Sequence, residues 1–427
     1  MNPSMVQSHP SDTLARLRAG QLAGTTRLDL RGCHLSEVPP EVFALADTLE
    51  RLDLSDNALQ SLPDEFARLH KLRILFCSDN AFTALPAVLG RCPSLDIIGF
   101  KANRIAHVPA QALPPSLRWL ILTDNRIVEL PETLGNCPRL QKLMLAGNQL
   151  QRLPASIAAC RRLELARLAA NQFETAQAAL PDGLLALPRL AWLAHAGNPF
   201  SQAREAASEQ AQSSPAIAWS ALQLQEVLGS GASGVIHAAH WKRDGQPPQA
   251  VAVKLFKGAM TSDGLPRSEM AASMAAGAHP HLVGVEGRLS GHPEGSQGLV
   301  LRRIPPGLRN LAEPPSLVSC TRDVYAPTLR WRADHALAIA RGMVSALGHL
   351  HQRGLAHGDL YGHNILVDAR GHSLLGDFGA ASFLPVDDPC RADALRQIDR
   401  RALGVLIAEL AQRCDSPGAL DGLQTPA

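Results

Sequence analysis

Residues 49–63 read LERLDLSDNALQSLP, and closely related phrases return at residues 72–86, 95–109, 117–131 and 140–154. Each phrase carries apolar residues at alternate positions, then an asparagine, then a Leu-Pro or Val-Pro pair. The asparagines fall at 57, 80, 103, 125, 148 and 171, so the period is 22 or 23 residues. A fixed period of this length indicates stacked supersecondary units, because one unit alone cannot bury its apolar face.

A degenerate copy around Cys33 opens the series, and a longer copy ending at Asn198 closes it, which makes about eight copies of L-x-x-L-x-L-x-x-N/C-x-L. This pattern resembles the leucine-rich repeat, and the resemblance implies an α/β solenoid. We expect short strands with inward leucines, asparagine amides bonded to backbone groups at the turns, and extended returns before each proline. Residues 11–20 predict a short helix over the first repeat, with Ser11 or Asp12 as its N-cap.

Strand side chains alternate between faces, so the positions six and four residues before each asparagine should point out of the concave sheet. The ends of this face are charged, but its centre is apolar: Ile74, Phe76, Ile97, Trp119, Ile121 and Met144. One interpretation is a docking patch anchored by Trp119, for another protein or for the second half of this chain. The alternative is chance in a leucine-rich sequence.

The second half carries four separated motifs. LQEVLGSGASGVI (224–236) spaces Gly229, Gly231 and Gly234 as G-x-G-x-x-G, which alone is a weak indication. VAVKLFK (251–257) places a lysine inside an apolar strand, where a lysine requires a charged partner. HGDLYGHNILV (357–367) and GDFGAAS (376–382) follow, and DRRALGVLIAEL (399–410) predicts a hydrophobic helix beginning at Asp399.

In this order and spacing the motifs resemble the protein-kinase family over roughly residues 222–412. The resemblance implies a two-lobed α+β domain, with a shortened C-terminal lobe here, that uses ATP and Mg²⁺. It implies catalytic roles for Asp359, Lys254 and Asn364 and metal ligation by Asn364 and Asp377. It further implies cofactor binding by Gly229, Gly231, Gly234, Ile236, Ala252, Lys254, Glu269 and Leu366. Glu269 is the expected partner of Lys254, or else a solvated helix residue; His357 and Phe378 are expected to be packing residues.

Three departures from the kinase pattern stand out. Gly358 replaces the arginine of H-R-D, which argues against switching through an activation-loop phosphate. Tyr361 stands where serine/threonine kinases carry a lysine near the γ-phosphate. No A-P-E follows, and the helix expected from Asp399 to about Ala411 is apolar on nearly every face. We therefore expect self-association, or a partner that covers this helix.

The composition limits the remaining possibilities. A net charge of +2 argues against a nucleic-acid partner, and no run of apolar residues is long enough for a membrane span. The start lacks the pattern of a secretory signal, so a cytoplasmic protein is expected. Cys137 and Cys160 occupy equivalent repeat positions, as a disulfide or, in a reducing compartment, as buried thiols.

These observations predict an N-terminal cap (1–24), a repeat domain (25–200), a linker with partial helical character (201–221) and a kinase-like domain (222–427). The leading functional hypothesis is an ATP- and Mg²⁺-dependent serine/threonine protein kinase whose repeats recruit a substrate or regulator. One alternative is a pseudokinase scaffold that binds protein partners without catalysis. The other is a small-molecule kinase of the aminoglycoside type, because H-G-D-L-x-x-x-x-N occurs there too.

Overall fold

The structure of the 427-residue chain is a computed structural model, and it describes residues 10–211, 216–231, 233–258, 260–261, 263–317 and 319–423. The chain divides into two compact units. The first holds the residues up to Leu165 together with 171–173 and 177–189. The second holds 166–170, 174–176 and the chain from Leu190 onward, so its border runs through the last repeats.

In the described part of the chain the repeats form a parallel sheet of eight strands, which lie in chain order. Each strand has three residues, and in each full repeat it lies six to four residues before the asparagine, as the pattern predicts. The strands are β1 Arg27–Asp29, β2 Arg51–Asp53, β3 Ile74–Phe76, β4 Ile97–Gly99, β5 Trp119–Ile121, β6 Lys142–Met144, β7 Leu165–Arg167 and β8 Trp192–Ala194.

Short helices return the chain between these strands, and all of them except α2 begin at or directly after a proline. Six of these are 3₁₀ helices: Pro40–Leu45, Asp64–Arg68, Ala87–Arg91, Ala110–Ala112, Glu132–Asn136 and Ala155–Ala159. The last returns are α-helical, α2 Ala176–Ala179 and α3 Asp182–Leu185. The leucine-rich-repeat solenoid predicted from the sequence is therefore confirmed.

Buried asparagine side chains join neighbouring repeats. The Asn125 amide nitrogen donates to the carbonyls of Phe100 at 2.8 Å and Leu122 at 3.1 Å, and its oxygen accepts from the Ile105 nitrogen at 3.0 Å. The residue before each repeat asparagine has a positive φ, between 52° and 72°: Asp56, Asp79, Ala102, Asp124, Gly147, Ala170 and Gly197. This left-handed residue turns the chain sharply out of the strand, so that the asparagine side chain can enter the backbone ladder.

The concave face is less open than expected. None of its six central apolar side chains is fully exposed, and Ile97 is buried. The side chains cover one another: the Phe76 ring lies against Gly99, and the Lys142 ammonium sits 4.3 Å from the Trp119 ring centre. Lys142 and Arg167 occupy the same outward-facing strand positions, and each is only 1 % exposed. The alternation of faces did not predict the burial of these two charged side chains.

Two further expectations, the N-cap of the first helix and the state of Cys137 and Cys160, can be compared with the structure. Helix α1 runs Pro10–Arg18, so Asp12 lies inside its first turn rather than at the N-cap; the side chain of Ser11 lies outside the described part. Cys137 and Cys160 are free thiols that donate to the carbonyls of Pro114 and Leu134. Burial raises the pKa of the Cys137 thiol to about 11, so the buried-thiol interpretation is confirmed.

The second unit contains a six-stranded mixed sheet of order β10-β11-β12-β14-β13-β9, where β9 is Ala216–Ala218, β10 Leu222–Ser230, β11 Gly234–Trp241, β12 Gln249–Phe256, β13 Val285–Ser290 and β14 Gly298–Arg302. Helix α4 Pro199–Ala211 precedes it, and α5 Pro266–Ala276 follows β12. Two small sheets come next: β15 Arg309–Asn310 with β17 Ile365–Val367 and β18 Ser373–Leu375, and β16 Leu355–Ala356 with β19 Ser382–Phe383.

Two long helices, α6 Ala333–Gln352 and α7 Pro389–Gln412, complete this unit, with 3₁₀ turns at Trp219–Ala221, Gly362–Asn364 and Pro417–Leu420. Helix α7 begins at Pro389, capped by Asp388, so the predicted start at Asp399 is wrong by about three turns. Leu403, Leu406 and Leu410 are buried, and α7 packs against α6 and the 3₁₀ turn Pro417–Leu420. None of the large apolar side chains of residues 399–411 is exposed. The expected uncovered apolar face is absent from this described helix.

The described helices include none that combines the length and the apolar character needed to cross a bilayer.

Candidate active site

Lys254 and Glu269 form a buried ion pair. Lys254 lies on the central strand β12, opposite Ile236 of β11, and Glu269 lies in the first turn of α5. The Lys254 ammonium donates to Glu269 Oε1, and both side chains are at most 10 % exposed. Burial lowers the pKa of Lys254, but the carboxylates of Glu269 and Asp377 outweigh burial and raise it. The lysine is therefore charged, and Glu269 is not the solvated residue of the alternative interpretation.

The glycine-rich segment is the turn between β10 and β11, of which residue 232 lies outside the described residues. The Gly231 nitrogen donates to the Gly234 carbonyl at 2.9 Å. A Cβ on Gly234 would lie 2.4 Å from the Leu255 carbonyl oxygen, whereas a Cβ on Gly229 or Gly231 would meet no atom within 4 Å. Packing therefore requires only Gly234, and the space beside Gly229 and Gly231 is open to a ligand.

The residues predicted to hold adenine lie on three strands. Ile236 and Ala252 lie on the adjacent strands β11 and β12, and Leu366 lies on β17, where its side chain is half-buried. Their contact with a nucleotide base stays a prediction.

Asn364 and Asp377 flank one end of the ribbon formed by β17 and β18. Ile365 pairs with Leu375, and the Gly376 nitrogen donates to the Asn364 carbonyl at 3.0 Å, which brings the two functional residues to the same end. Asp377 is exposed and has a φ of 54°, a left-handed conformation that is costly outside glycine.

This donor set fits Mg²⁺. The Asn364 amide and the Asp377 carboxylate offer hard oxygen atoms, and Mg²⁺ in phosphoryl-transfer sites is held by one or two such groups together with phosphate oxygens and water. The described residues hold no cluster of three or more His, Cys, Asp or Glu able to bind a metal alone. The buried Glu269 Oε2 has no hydrogen-bond partner within the same described residues.

The side chain of Asp359 lies in the second unit, surrounded by hydrogen-bond donors, and the residue is only 5 % exposed. Its Oδ1 accepts from the guanidinium groups of Arg167 and of Arg322, the latter at 2.6 Å, and its Oδ2 accepts from the Asn364 amide at 3.0 Å. Burial raises the pKa of Asp359, but the two guanidinium charges outweigh burial and hold that pKa below its ordinary value. Asp359 is therefore an ionised carboxylate with both oxygens engaged.

Asp399 of α7 holds the loop that carries Asp359 through hydrogen bonds to its backbone. The Asp399 carboxylate accepts from the backbone nitrogens of His357 at 2.8 Å and Gly358 at 2.9 Å, and from His351 at 3.0 Å. The His357 ring contacts the Gly376 carbonyl at 3.1 Å and lies 5.3 Å from the Phe378 ring. His357 and Phe378 thus pack internally, as predicted, while Asp399 positions the catalytic loop.

The last repeat strand also contacts this loop, within the second unit. The Leu193 nitrogen donates to the Gly358 carbonyl at 3.1 Å, and the Trp192 indole donates to the Leu360 carbonyl at 2.9 Å. Gly358 has a φ of 70°, and a Cβ there would lie 2.5 Å from the Leu193 carbonyl oxygen. The glycine that replaces the arginine of H-R-D is therefore required by close packing against β8.

The sequence did not single out Arg322 or the role of Arg167, and it named Asp399 only as the expected start of a helix. Arg322 lies outside the recognisable motifs, and Arg167 occupies an outward-facing strand position of the last repeats. The missing lysine at Tyr361 was the one available signal that a cation must come from elsewhere.

Comparison with known proteins agrees with this geometry. Residues 222–401 match the family described as protein tyrosine and serine/threonine kinase, and residues 23–82 and 115–173 match the leucine-rich-repeat family. The chain is therefore similar to the leucine-rich-repeat family in its first half and to the protein-kinase family in its second half. This match favours the protein-kinase interpretation over the small-molecule one.

Individual relatives are similar over short segments. A probable serine/threonine-protein kinase of Arabidopsis thaliana is 29 % identical over 104 residues, which cover 24 % of this chain and 16 % of the relative. A second serine/threonine-protein kinase of that plant, AtPK1/AtPK6, is 47 % identical over 51 residues, or 12 % of this chain and 11 % of its own length. A probable serine/threonine-protein kinase of Dictyostelium discoideum is 41 % identical over 54 residues, covering 13 % and 12 %. The chain thus spans less than a fifth of each relative's length.

Proposed function

We propose that this chain is an ATP- and Mg²⁺-dependent protein kinase that phosphorylates serine or threonine, with the repeats recruiting a protein substrate or regulator. The observation that carries the proposal is the buried Lys254–Glu269 pair, because a charged lysine on a central strand is retained at a large desolvation cost. The named relatives, all serine/threonine-protein kinases, support the choice of acceptor.

In this proposal each residue of the site has a distinct role in phosphoryl transfer. ATP would supply the phosphoryl group, with its charge neutralised by Mg²⁺ on Asn364 and Asp377. Lys254 binds phosphate oxygens and is itself oriented by Glu269, while the open space at Gly229 and Gly231 lets the backbone close over the phosphates. Asp359 orients the acceptor hydroxyl and takes its proton, which requires the hydroxyl to replace one of the groups now bonded to the carboxylate.

The repeats offer a parallel sheet that is suited to protein binding, and Trp119 is the residue we propose as its anchor. Lys142 is buried against the Trp119 ring, so the accessible centre of this face is apolar. We propose a protein that enters this face with an aliphatic side chain, either a substrate or a regulator.

The experiment is phosphoryl transfer from labelled ATP with Mg²⁺ to a generic protein substrate and to the chain itself. Asp359→Asn should abolish transfer and leave nucleotide binding nearly intact, because this aspartate meets the acceptor rather than the nucleotide. Asp387→Asn, an exposed aspartate before α7, is the matched control and should behave as the unaltered chain. Transfer that survives in Asp359→Asn would contradict the assignment.

A second candidate is a pseudokinase scaffold, and one observation favours it: Asp359 is buried with both oxygens bonded. In that case the chain binds Mg-ATP and transfers no phosphate under any condition, including with the variants described below.

A further inference from the structure

Arg322 is a buried cation beside the proposed catalytic aspartate. Its guanidinium carbon lies 3.7 Å from the ring centre of Tyr361, and its Nη2 lies 2.6 Å from Asp359 Oδ1. The side chain is 11 % exposed, and its buried Nε has no hydrogen-bond partner among the described residues. The guanidinium is thus held in place by its contacts with Asp359 and Tyr361, and the side chain is not fully enclosed.

The neighbouring residue fixes this position. The Asp323 carboxylate accepts from the backbone nitrogens of Gly362 and His363, each at 3.0 Å, so the segment carrying Arg322 is attached to the loop between Asp359 and Asn364. Arg322 is thereby held beside Asp359, the carboxylate proposed to receive the acceptor hydroxyl. Preorganised cations at the site of developing charge are among the largest contributions to phosphoryl transfer.

We propose that Arg322 is a catalytic residue that binds the transferred phosphate, in place of the lysine that Tyr361 replaces. The Tyr361 ring provides the planar support on which the guanidinium stacks. The proposal rests on the proposed function, but it also makes a claim about nucleotide binding alone.

The test compares ATP with ADP by calorimetry, and then measures kcat. Arg322→Ala should lower the affinity for Mg-ATP and leave the affinity for Mg-ADP unchanged, because only ATP carries the phosphate that is transferred. It should lower kcat by about 10²-fold, and Arg322→Lys should restore part of both. Arg330→Ala, an exposed arginine in the same segment, is the control.

An unchanged ratio of ATP to ADP affinity in Arg322→Ala would overturn the role of Arg322. A changed ratio in a chain that transfers no phosphate would support that role and would contradict only the proposed function.

Arg167 contacts the same carboxylate from a different element, and independent observations carry a second inference. It leaves strand β7 and is 1 % exposed, and besides Asp359 it donates to Asp263 at 2.5 Å in the segment before α5. Burial lowers the pKa of Arg167, but the carboxylates of Asp359 and Asp263 outweigh burial and raise it. The cation is therefore permanent and is shared between two carboxylates.

We infer that Arg167 restrains Asp359 and that the enzyme is activated when this contact is released. Arg167 and Arg322 both donate to Asp359 Oδ1, so loss of Arg167 leaves one donor fewer for an acceptor hydroxyl to displace. Leu193 and Trp192 of β8 bond the adjacent backbone in the same state. The Lys254–Glu269 pair is already formed, so the restraint acts on the acceptor and not on the nucleotide. A side chain at position 358 would prevent the packing of this loop against Leu193, so the glycine there is consistent with a restraint that involves the last repeat.

Arg167→Gln and Arg167→Lys should both raise phosphoryl transfer, through kcat or a lower KM for the acceptor, with the KM for ATP unchanged, because neither side chain has the fork that bridges Asp263 and Asp359. We thus expect opposite effects from the two arginines on Asp359: loss of Arg322 lowers the rate, and loss of Arg167 raises it. Arg162→Gln, an exposed arginine of the same repeat, is the control. Arg167→Lys, which keeps the charge, keeps the test available if Arg167→Gln does not fold.

A second measurement does not depend on transfer. Labelling of Asp359 by a water-soluble carbodiimide and an amine, followed by peptide mass spectrometry, should increase several-fold in Arg167→Gln, while the buried Asp399 stays protected as an internal reference. Unchanged labelling, or a lower rate in both variants, would overturn the restraint.

Discussion

The Asp399 carboxylate accepts a hydrogen bond from the backbone nitrogen of His357 at 2.8 Å, and so connects helix α7 to the loop that carries Asp359. Asp399 is 1 % exposed and accepts two further hydrogen bonds, from Gly358 and His351. Asp399→Ala would leave buried donors without a partner. We expect a loss of about 3 kcal/mol or more in the free energy of unfolding, measured by urea denaturation. Asp393→Ala, an exposed aspartate of the same helix, should change it little, and equal losses in the two variants would contradict the assigned role.

Asp377 should make nucleotide binding dependent on Mg²⁺. Mg-ATP should raise the melting temperature of the unaltered chain, because a ligand that binds only the folded state stabilises it. In Asp377→Ala the part of this rise that requires Mg²⁺ should disappear, while the part seen with ATP and a chelator should remain. Asp387→Ala is the exposed control. The metal assignment is wrong if Asp377→Ala keeps the full metal-dependent shift.

Glu409 should make stability dependent on pH. Burial, together with the nearby Asp323 carboxylate, raises the pKa of Glu409 from 4.5 to about 7, and the Tyr325 hydroxyl donates to it at 3.0 Å. The folded chain therefore binds a proton more tightly than the unfolded chain does, so this group's contribution to stability is fully present below pH 4.5 and is lost as pH rises toward about 7.

Glu409→Gln removes this titration and should flatten the dependence of the urea midpoint on pH between 5 and 7. Glu294→Gln, at an exposed site, should keep the slope of the unaltered chain. An identical slope in all three proteins would show that Glu409 does not titrate in this window.

The asparagine ladder should account for a large part of the solenoid's stability. Asn125→Ala removes an amide oxygen and an amide nitrogen that together serve four backbone groups, and we expect a loss of about 2 to 4 kcal/mol in the free energy of unfolding. Asn136→Ala, an exposed asparagine in a neighbouring 3₁₀ helix, should be nearly neutral when measured by the same denaturation. Similar values for both would mean that water replaces the ladder.

The solenoid could be predicted from the sequence because its period and its residue types repeat several times. Strand positions followed from counting back from each asparagine, and the structure confirms them. The left-handed residue before each asparagine could not be predicted, because aspartate and alanine occupy it more often than glycine does.

The chemistry of the site was predicted only in part. Lys254 and Glu269 could be paired from the family's order of motifs, and the ribbon of β17 and β18 explains why Asn364 and Asp377 meet. Arg322 and Arg167 lie 37 and 192 residues before Asp359, and contacts at such separations leave no trace in local spacing.

The contacts of β8 with the loop that carries Asp359 have a practical consequence for the design of shorter fragments of this protein. The change in composition after Phe200 invites a fragment that begins in the alanine- and glutamine-rich segment. Such a fragment would lack Trp192 and Leu193, and with them the two groups that donate to the carbonyls of Leu360 and Gly358. An expression clone or a gene fusion should instead start upstream of β7, so that both strands travel with the enzyme they contact.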